Sequence, residues 1–245
     1  AITNISRDHL DYHKNMKSYK KEKIKLFTKY LLDNGTAIIN SKIKNLLLLK
    51  RKLKNKKINL IFFGKNYIHF KNKDNALKLQ VFKNVYNIKN LQLSTNIELE
   101  NLECAIACCL ALKIGEKKII KILPLISNPP GRLQKINYNK IKSTIIIDYA
   151  HTPEALKNIL KSYVSFNKKK PVLLFGCGGE RDKSKRKDMG IIAKNFASRV
   201  YITDDNPRNE NPSFIRKSIK KYCPQGIEVP NRKDAILKAI NELSK

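Results

Sequence analysis

The sequence predicts an α/β fold, because short apolar strands alternate with helical periodicity along most of its 245 residues. The alternation is most regular in the second half, where strand patterns at 144–148, 172–175 and 200–203 are each followed by a helical pattern. A run of breaker residues, NPPGR at 128–132, precedes this region and predicts a domain boundary. We therefore expect a doubly wound, Rossmann-like domain after that boundary.

The elements of the first half predict a mixed α/β region. Apolar spacing from Met16 onward predicts a helix that closes at Asn34-Gly35, and it places Lys23 on or near the apolar face. On spacing alone, Lys23 is interpreted as a snorkelling side chain with its ammonium group in water. Short strands are expected at 36–40, 60–63, 67–70, 76–82 and 85–93, with helices at 46–53 and 116–123.

Other helices carry clearer signals. A strong helix is predicted at 99–113, and its apolar face is expected to comprise Leu102, Ala105, Ile106, Cys109 and Leu112. Thr152-Pro153 predicts an N-cap followed by a proline in the first turn of a helix. A helix from Pro212, a short strand at 226–229 and a helix at 233–243 complete the predicted second domain.

The composition narrows the function classes. A net charge of +31 is typical of nucleic-acid-binding proteins, but the lysines are spread along the chain and accompany abundant asparagine and isoleucine. A biased genome composition is therefore the favoured explanation, and we expect no nucleic-acid partner. No apolar run reaches the roughly 18 residues of a membrane-spanning helix, so no membrane insertion is expected. The five cysteines lack metal-binding spacing and indicate a reduced, cytoplasmic protein.

Two charged loops follow neighbouring predicted strands of the second half. The strand at 172–175 enters GCGGERDKSKR, and the strand at 200–203 enters DDNPR. Because ligands bind at the carboxyl ends of parallel strands, the two loops predict one polar pocket at one end of the sheet. Neither a G-x-G-x-x-G fingerprint nor a P-loop signature is present in these residues, so the pattern alone names no ligand.

Six sequence features occur in a fixed order along the chain: TNISRDHLDYH, Lys23, NPPGR, DYAHTPEAL, FGCGGERDKSKR and DDNPR. Together they resemble the Mur ligase family. The resemblance implies that residues 1–130 are the later part (a remnant) of the central ATPase domain, without its P-loop. It implies that residues 131–245 are the Rossmann-like C-terminal ligase domain, without its last segment. We expect a portion of a longer ligase on this basis.

The resemblance also implies a reaction, ATP-dependent amide formation through an acyl phosphate in peptidoglycan synthesis. His9 corresponds to a Mg²⁺ ligand, and Lys23 corresponds to a lysine that the family carries as a metal-positioning carbamate. The correspondence with the family's carbamate outweighs the snorkelling interpretation of Lys23. Four further positions correspond to residues that contact ATP: Asn101, Arg132, Asp148 and His151. The family's usual glycine and second asparagine are missing at 95–98, before Asn101.

The DDNPR turn implies the identity of the incoming amino acid. In the family, D-N-P-R accompanies meso-diaminopimelate, which is added to UDP-MurNAc-L-Ala-D-Glu. The residues expected to bind it are Arg181, Asp205, Asn206 and Arg208. A guanidinium can hold the second carboxylate of diaminopimelate, which lysine lacks, through two parallel hydrogen bonds.

Several alternatives stay open at this stage. The DDNPR segment has a simpler interpretation as an ordinary type I turn. The chain could be a non-catalytic or split portion of a ligase, with a second chain supplying the N-terminal parts. A related amide ligase acting at another step is the nearest enzymatic alternative.

Overall fold

The computed structural model describes residues 1–5, 10–43, 46–54, 56–65, 67–73, 76–93, 95–138 and 143–243. The chain divides into two compact units, Ala1–Ser6 with His13–Ser127, and Arg7–Tyr12 with Asn128–Lys245. The predicted metal ligand His9 lies outside the described residues. No helix in the described ranges is long and apolar enough to span a membrane.

The chain begins with helices α1 (Leu10–His13) and α2 (Met16–Lys25), and a π-helical turn (Leu26–Tyr30) continues α2. The side chain of Asn15 caps α2 by accepting a hydrogen bond from the backbone N–H of Ser18 at 2.9 Å. The sequence predicted a helix extending to Asn34-Gly35, but the helical backbone ends at Tyr30. The Asn-Gly pair forms a later turn, in which Asn34 adopts a φ of 62°.

The first unit contains two small sheets. Strand β1 (Thr36–Asn40) is parallel to β2 (Asn59–Phe63), and helix α3 (Leu46–Leu53) lies between them in the chain. Strands β3 (His69–Lys73), β4 (Ala76–Val81) and β5 (Asn84–Ile88) form an antiparallel sheet. Helices α4 (Asn96–Ala111) and α5 (Glu116–Ile122) follow, and a 3₁₀ turn ends at Leu125.

The buried face of α4 differs from the predicted one. Leu102 and Ile106 are buried as expected, but Ala105 is exposed, and Leu112 is 76% exposed because it lies beyond the last helical residue. Helix α4 packs against β1, β2 and β3, so it buries more than one apolar stripe. The additional buried residues are Glu98, Glu103, Cys104 and Ala107.

The second unit contains alternating strands and helices, as predicted. Its elements are β6 (Gln134–Asn137), β7 (Thr144–Ile147), α6 (Pro153–Asn167), β8 (Val172–Phe175), α7 (Lys185–Phe196), β9 (Arg199–Ile202), α8 (Pro212–Lys220), β10 (Ile227–Glu228) and α9 (Arg232–Leu243). Strands β10, β9 and β8 form a parallel sheet in that order. The predicted Thr152 cap of α6 is confirmed, since its hydroxyl accepts from the Ala155 N–H at 3.3 Å.

One strand pairing was not foreseen. Strand β7 was expected to belong to the parallel sheet, but its hydrogen-bonded partner in the described structure is β6, which runs antiparallel to it. Strand β6 lacks an apolar signal, because three of its four residues are exposed, and it was therefore missed. The core of this unit lies between the parallel sheet and helices α6, α7 and α8, with Met189 and Ile202 among its buried residues.

Candidate functional site

A cavity of about 440 Å³ lies at the carboxyl ends of β7, β8 and β9. All the residues that line it belong to the second unit. They come from the DYAHTP loop (residues 148–153), the end of β8, the GCGG loop (residues 176–179) with the segment after it, the DDNPR turn (residues 204–208), and the start of α9. The predicted polar pocket at the strand ends is therefore present in the structure.

The walls of this cavity carry more positive than negative side chains. Four cationic residues line it, namely Arg181, Lys185, Arg208 and Arg232. Three carboxylates accompany them, Asp148, Asp182 and Asp205. Such a cavity attracts an anionic ligand but also offers acceptors for an ammonium group, which together fit an amino acid or a phosphate-containing molecule.

The GCGG loop and the DDNPR turn pack directly on each other. The backbone N–H of Gly179 donates to the carbonyl of Asn206 at 3.1 Å. A Cβ at Gly179 would lie 1.8 Å from the carbonyl oxygen of Pro207, and a Cβ at Gly176 would lie 2.4 Å from that of Thr203. Glycine is required at both positions because the two backbones approach too closely for any side chain.

Arg208 also takes part in the contact between the GCGG loop and the DDNPR turn. Its guanidinium donates to the carbonyl oxygen of Gly179, and its backbone is in the left-handed region with a φ of 51°. Asn206 is also left-handed, with a φ of 44°. Two non-glycine residues in this conformation within one short turn represent local strain, which accumulates at binding sites where the surrounding structure enforces it.

A buried arginine fixes the start of α7 to the segment beyond the DDNPR turn. Arg186, which is 4% exposed, donates to both carboxylate oxygens of Glu210, at 2.9 and 3.0 Å. The backbone N–H of Glu180 also donates to Glu210, at 2.6 Å. This backbone hydrogen bond, together with Arg186, lowers the pKa of Glu210. The sequence motif contains Arg186, but only the structure shows its positioning role.

A second buried arginine fixes the DDNPR turn from the other side. Arg216 on α8 donates to Glu228 at 2.8 Å and to Asp204, the first residue of the turn. Both pairs are mostly shielded from solvent, because the Arg216 side chain is 9% exposed. Arg216 was not among the residues predicted from the sequence, although a charged residue next to the apolar Ile215 in an amphipathic helix was a usable signal.

The DYAHTP loop forms the other wall of the cavity. Asp148 accepts hydrogen bonds from the backbone N–H groups of Ala150 and Leu133, at 2.7 and 2.9 Å. Lys185 donates to the carbonyl of His151 at 3.2 Å, which connects this loop to α7. Arg132 does not line the cavity, but its guanidinium lies 4.8 Å from the ring centre of Tyr149, which does.

The predicted site residues therefore fall into two groups. The structure brings Asp148, His151, Arg181, Asp205, Asn206 and Arg208 together around one cavity, with Arg132 beside it. Lys23 and Asn101 lie in the first unit, where Lys23 is half-buried on α2 and Asn101 is exposed on α4. The Lys23 ammonium lies 4.9 Å from the ring centre of Tyr19. The described residues contain no cluster of three or more His, Cys, Asp or Glu side chains that could hold a metal ion.

The unusual sequence before Asn101 has a structural explanation. Thr95 and Glu98 form a reciprocal capping box, in which each side chain accepts a hydrogen bond from the backbone N–H of the other residue. This capping box begins α4, so the substituted residues at this point stabilise the helix end.

Two family models match the chain in succession. The Mur ligase middle domain matches residues 1–109, and the Mur ligase glutamate ligase domain matches residues 131–245. Among curated relatives, a UDP-N-acetylmuramoyl-L-alanyl-D-glutamate--2,6-diaminopimelate ligase of Anaplasma marginale is 37% identical over 98% of this chain and 51% of its own length. The corresponding ligase of Rickettsia bellii is 37% identical over 100% of this chain and 53% of its own length.

Solved structures show the same fold. A structure of a UDP-N-acetylmuramoyl-L-alanyl-D-glutamate--2,6-diaminopimelate ligase matches 96% of this chain and 50% of its own, with a TM-score of 0.52 and 27% identity. A Mycobacterium tuberculosis folylpolyglutamate synthase matches 98% of this chain and 55% of its own, with a TM-score of 0.75 and 18% identity. The chain spans about half the length of the curated relatives it matches. From the two domain matches in succession, the chain belongs to the Mur ligase family.

Proposed function

We propose that this chain carries the amino-acid-binding part, and some of the nucleotide-binding residues, of an ATP-dependent ligase in peptidoglycan synthesis. The ligase adds meso-diaminopimelate to UDP-MurNAc-L-Ala-D-Glu. In this proposal residues 1–130 are the later part of the central ATP-binding domain, and residues 131–245 form the C-terminal ligase domain. The names of the relatives and the matched domains support the reaction.

The single observation that carries the proposal is the cationic cavity at the strand ends, with Arg208 on its wall. Diaminopimelate has two carboxylates and two amines, whereas lysine has one carboxylate. Arg208, assisted by Arg181, binds the additional carboxylate in this proposal, and Asp205 and Asn206 accept hydrogen bonds from the adjacent ammonium group. Without an arginine the additional carboxylate would lose its water and gain no partner, so the ligand would be rejected.

The residues assigned to the nucleotide are taken from the family resemblance. Asp148, His151 and Arg132 lie on or beside the DYAHTP loop, and Asn101 is exposed on α4 of the first unit. Mg²⁺ is assigned to His9 and to Lys23 in its carbamate form. When bound, such an ion neutralises phosphate charge during phosphoryl transfer. The described residues supply no complete metal site, so the contribution of Mg²⁺ rests on the family resemblance.

The proposed reaction has two steps. The substrate carboxylate attacks the γ-phosphorus of ATP, which gives an acyl phosphate and releases ADP. The neutral amine of diaminopimelate then attacks the acyl carbon, the C–O bond to phosphate breaks so that phosphate leaves with the bonding electron pair, and the nitrogen loses a proton to water as the amide forms. This chain's part in the second step is to hold the amine-bearing ligand by its carboxylates, which converts a bimolecular encounter into a positioned attack.

The test is an ADP-release assay with UDP-MurNAc-L-Ala-D-Glu, ATP and either meso-diaminopimelate or lysine, performed on the full-length protein in which this chain occurs. We expect release that depends on diaminopimelate. Equal stimulation by lysine would refute the assigned specificity. The same assay with residues 1–245 alone separates an active ligase from a non-catalytic portion, since the latter releases no ADP.

Two variants assign roles within that assay. Arg208→Gln should raise the KM for diaminopimelate about tenfold or more while the KM for ATP changes little, because one charge-assisted contact is lost. Lys23→Ala should abolish turnover, whereas Lys20→Ala, on the same helix, should not. Full activity of Lys23→Ala would show that the carbamate assignment is wrong.

A further inference from the structure

One cation of the cavity has no assigned role. Arg232 lines the cavity as the first residue of α9, and its side chain is exposed. Lys185 donates to the carbonyl of His151, and Arg208 donates to the carbonyl of Gly179. In the described structure the Arg232 guanidinium has neither a hydrogen bond nor an ion pair, so all its donors are available to a ligand.

The backbone before Arg232 is fixed to the end of β9. The carbonyl of Pro230 accepts hydrogen bonds from the Thr203 hydroxyl at 3.0 Å and from the Asp204 N–H at 3.1 Å. The side chain of Asn231 then caps α9 by accepting from the N–H groups of Lys233 and Asp234, at 2.9 and 3.2 Å. Arg232 is therefore presented to the cavity by a backbone that is anchored on both sides.

Arg232 and Arg208 approach the cavity from opposite sides of β9. The sheet order is β10, β9, β8, and Arg232 follows β10, whereas Arg208 is bonded to the loop that follows β8. Glu228 and Asp204 are both paired with Arg216, and Asp234, two residues along α9, forms no ion pair with Arg232 in the described structure, so none of these carboxylates neutralises Arg232. Two separated guanidinium groups in one cavity match a ligand that carries two separated carboxylates.

We propose that Arg232 binds the carboxylate that diaminopimelate and lysine share, the one beside the reacting amine. This inference rests on the proposed function, in which Arg208 holds the other carboxylate. Arg232 is then a binding residue that positions the attacking amine for either amino acid, while Arg208 supplies the selectivity. Each carboxylate of the ligand needs a partner of its own, because a carboxylate left without one in this cavity would weaken binding. The two arginines therefore act on different parts of one ligand.

The test is calorimetric titration of the chain with meso-diaminopimelate and, separately, with L-lysine. Arg232→Gln should weaken the binding of both ligands by a similar factor of about tenfold or more, which leaves their ratio unchanged. Arg208→Gln should weaken diaminopimelate binding only. Lys233→Gln is the matched control, because it removes one positive charge from the same helix turn, outside the cavity lining, and should change neither affinity.

The outcomes separate this inference from the proposed function. If Arg232→Gln leaves both affinities unchanged, or weakens diaminopimelate alone, the role given to Arg232 is overturned and the proposed function stands. If the unsubstituted chain binds both amino acids equally, the assigned specificity fails, while parallel weakening by Arg232→Gln would still support its role. If it binds neither, both proposals are overturned. Circular dichroism of each variant checks that α9 remains folded.

Discussion

Replacing the buried carboxyl of Glu103 should stabilise the first unit at neutral pH. Glu103 lies on α4 and is 4% exposed. Its Oε1 accepts a hydrogen bond from the backbone N–H of Phe70 at 2.7 Å, while its Oε2 is buried and has no hydrogen-bond partner in the described structure. Burial raises the pKa of Glu103 from an ordinary value of 4.5 to about 7, although the Phe70 hydrogen bond opposes this.

The direction of the pH effect follows from the two pKa values. Between pH 4.5 and about 7 the folded chain retains the Glu103 proton and the unfolded chain has lost it, so the free energy of unfolding falls as the pH rises. Above about pH 7 the folded chain holds Glu103 as a buried carboxylate, and the full free-energy cost of burying that charge lowers its stability. The difference between the two pKa values corresponds to roughly 3 kcal/mol. Glu103→Gln removes this titration and keeps a carbonyl acceptor for Phe70.

The assay is urea unfolding of the chain and of Glu103→Gln at pH 5 and pH 8, followed by circular dichroism. The variant should be more stable at pH 8 by roughly 2–3 kcal/mol and should differ little at pH 5. Glu100→Gln, on the exposed side of the same helix, is the control, and its effect should stay below about 1 kcal/mol at either pH. Equal stability of Glu103→Gln and the unsubstituted chain at pH 8 would show that the buried Glu103 carboxylate does not destabilise the first unit.

Three further predictions concern the site loops. Gly179→Ala should destabilise the second unit by roughly 1–3 kcal/mol and abolish diaminopimelate binding, because its Cβ would lie 1.8 Å from a backbone oxygen of the DDNPR turn. Gly178→Ala should retain the fold, since its Cβ would lie 3.2 Å from a side-chain nitrogen of Arg208 and 3.8 Å from the nearest backbone atom. Equal stability losses for the two glycine variants in denaturant titrations would contradict this contrast. Arg216→Met should cost roughly 2–4 kcal/mol in the same titrations, because two partly buried carboxylates lose their partner. The pKa of Glu210 is lowered, so the stability that Glu210 contributes is present above pH 4.5 and is lost as the pH falls below that value. Glu210→Gln should therefore remove this acid sensitivity, which thermal unfolding at different pH values would measure.

The sequence predicted the elements of the second unit better than their pairing. The buried strands β8 and β9 have continuous apolar runs, and α6 begins with Thr152-Pro153, so local signals suffice for them. Strand β6 has no such run, and its pairing with β7 depends on residues distant in sequence. The same limit applies to α4, where Glu103 is buried because strands contact that side of the helix.

Several residues that line the cavity were predicted from the sequence, but the ion pairs that hold its loops in place were not. The position of the two charged loops after parallel strands was enough to expect a shared cavity with Asp205 and Arg208 on its wall. The buried pairs of Arg186 and Arg216 could not be predicted, because their carboxylate partners lie 24 and 12 residues away and only folding brings them together. Arg232 was missed for a similar reason, since it follows a short strand that has no binding motif.

The most direct measurement is a crystal structure of this chain soaked with meso-diaminopimelate. We expect ligand density in the cavity between the GCGG loop and the DDNPR turn, with one carboxylate within hydrogen-bonding distance of the Arg208 guanidinium and the other near Arg232. Diaminopimelate bound elsewhere, or bound in this cavity with neither carboxylate contacting Arg208, would contradict the assignment of this cavity as the site that selects the amino acid.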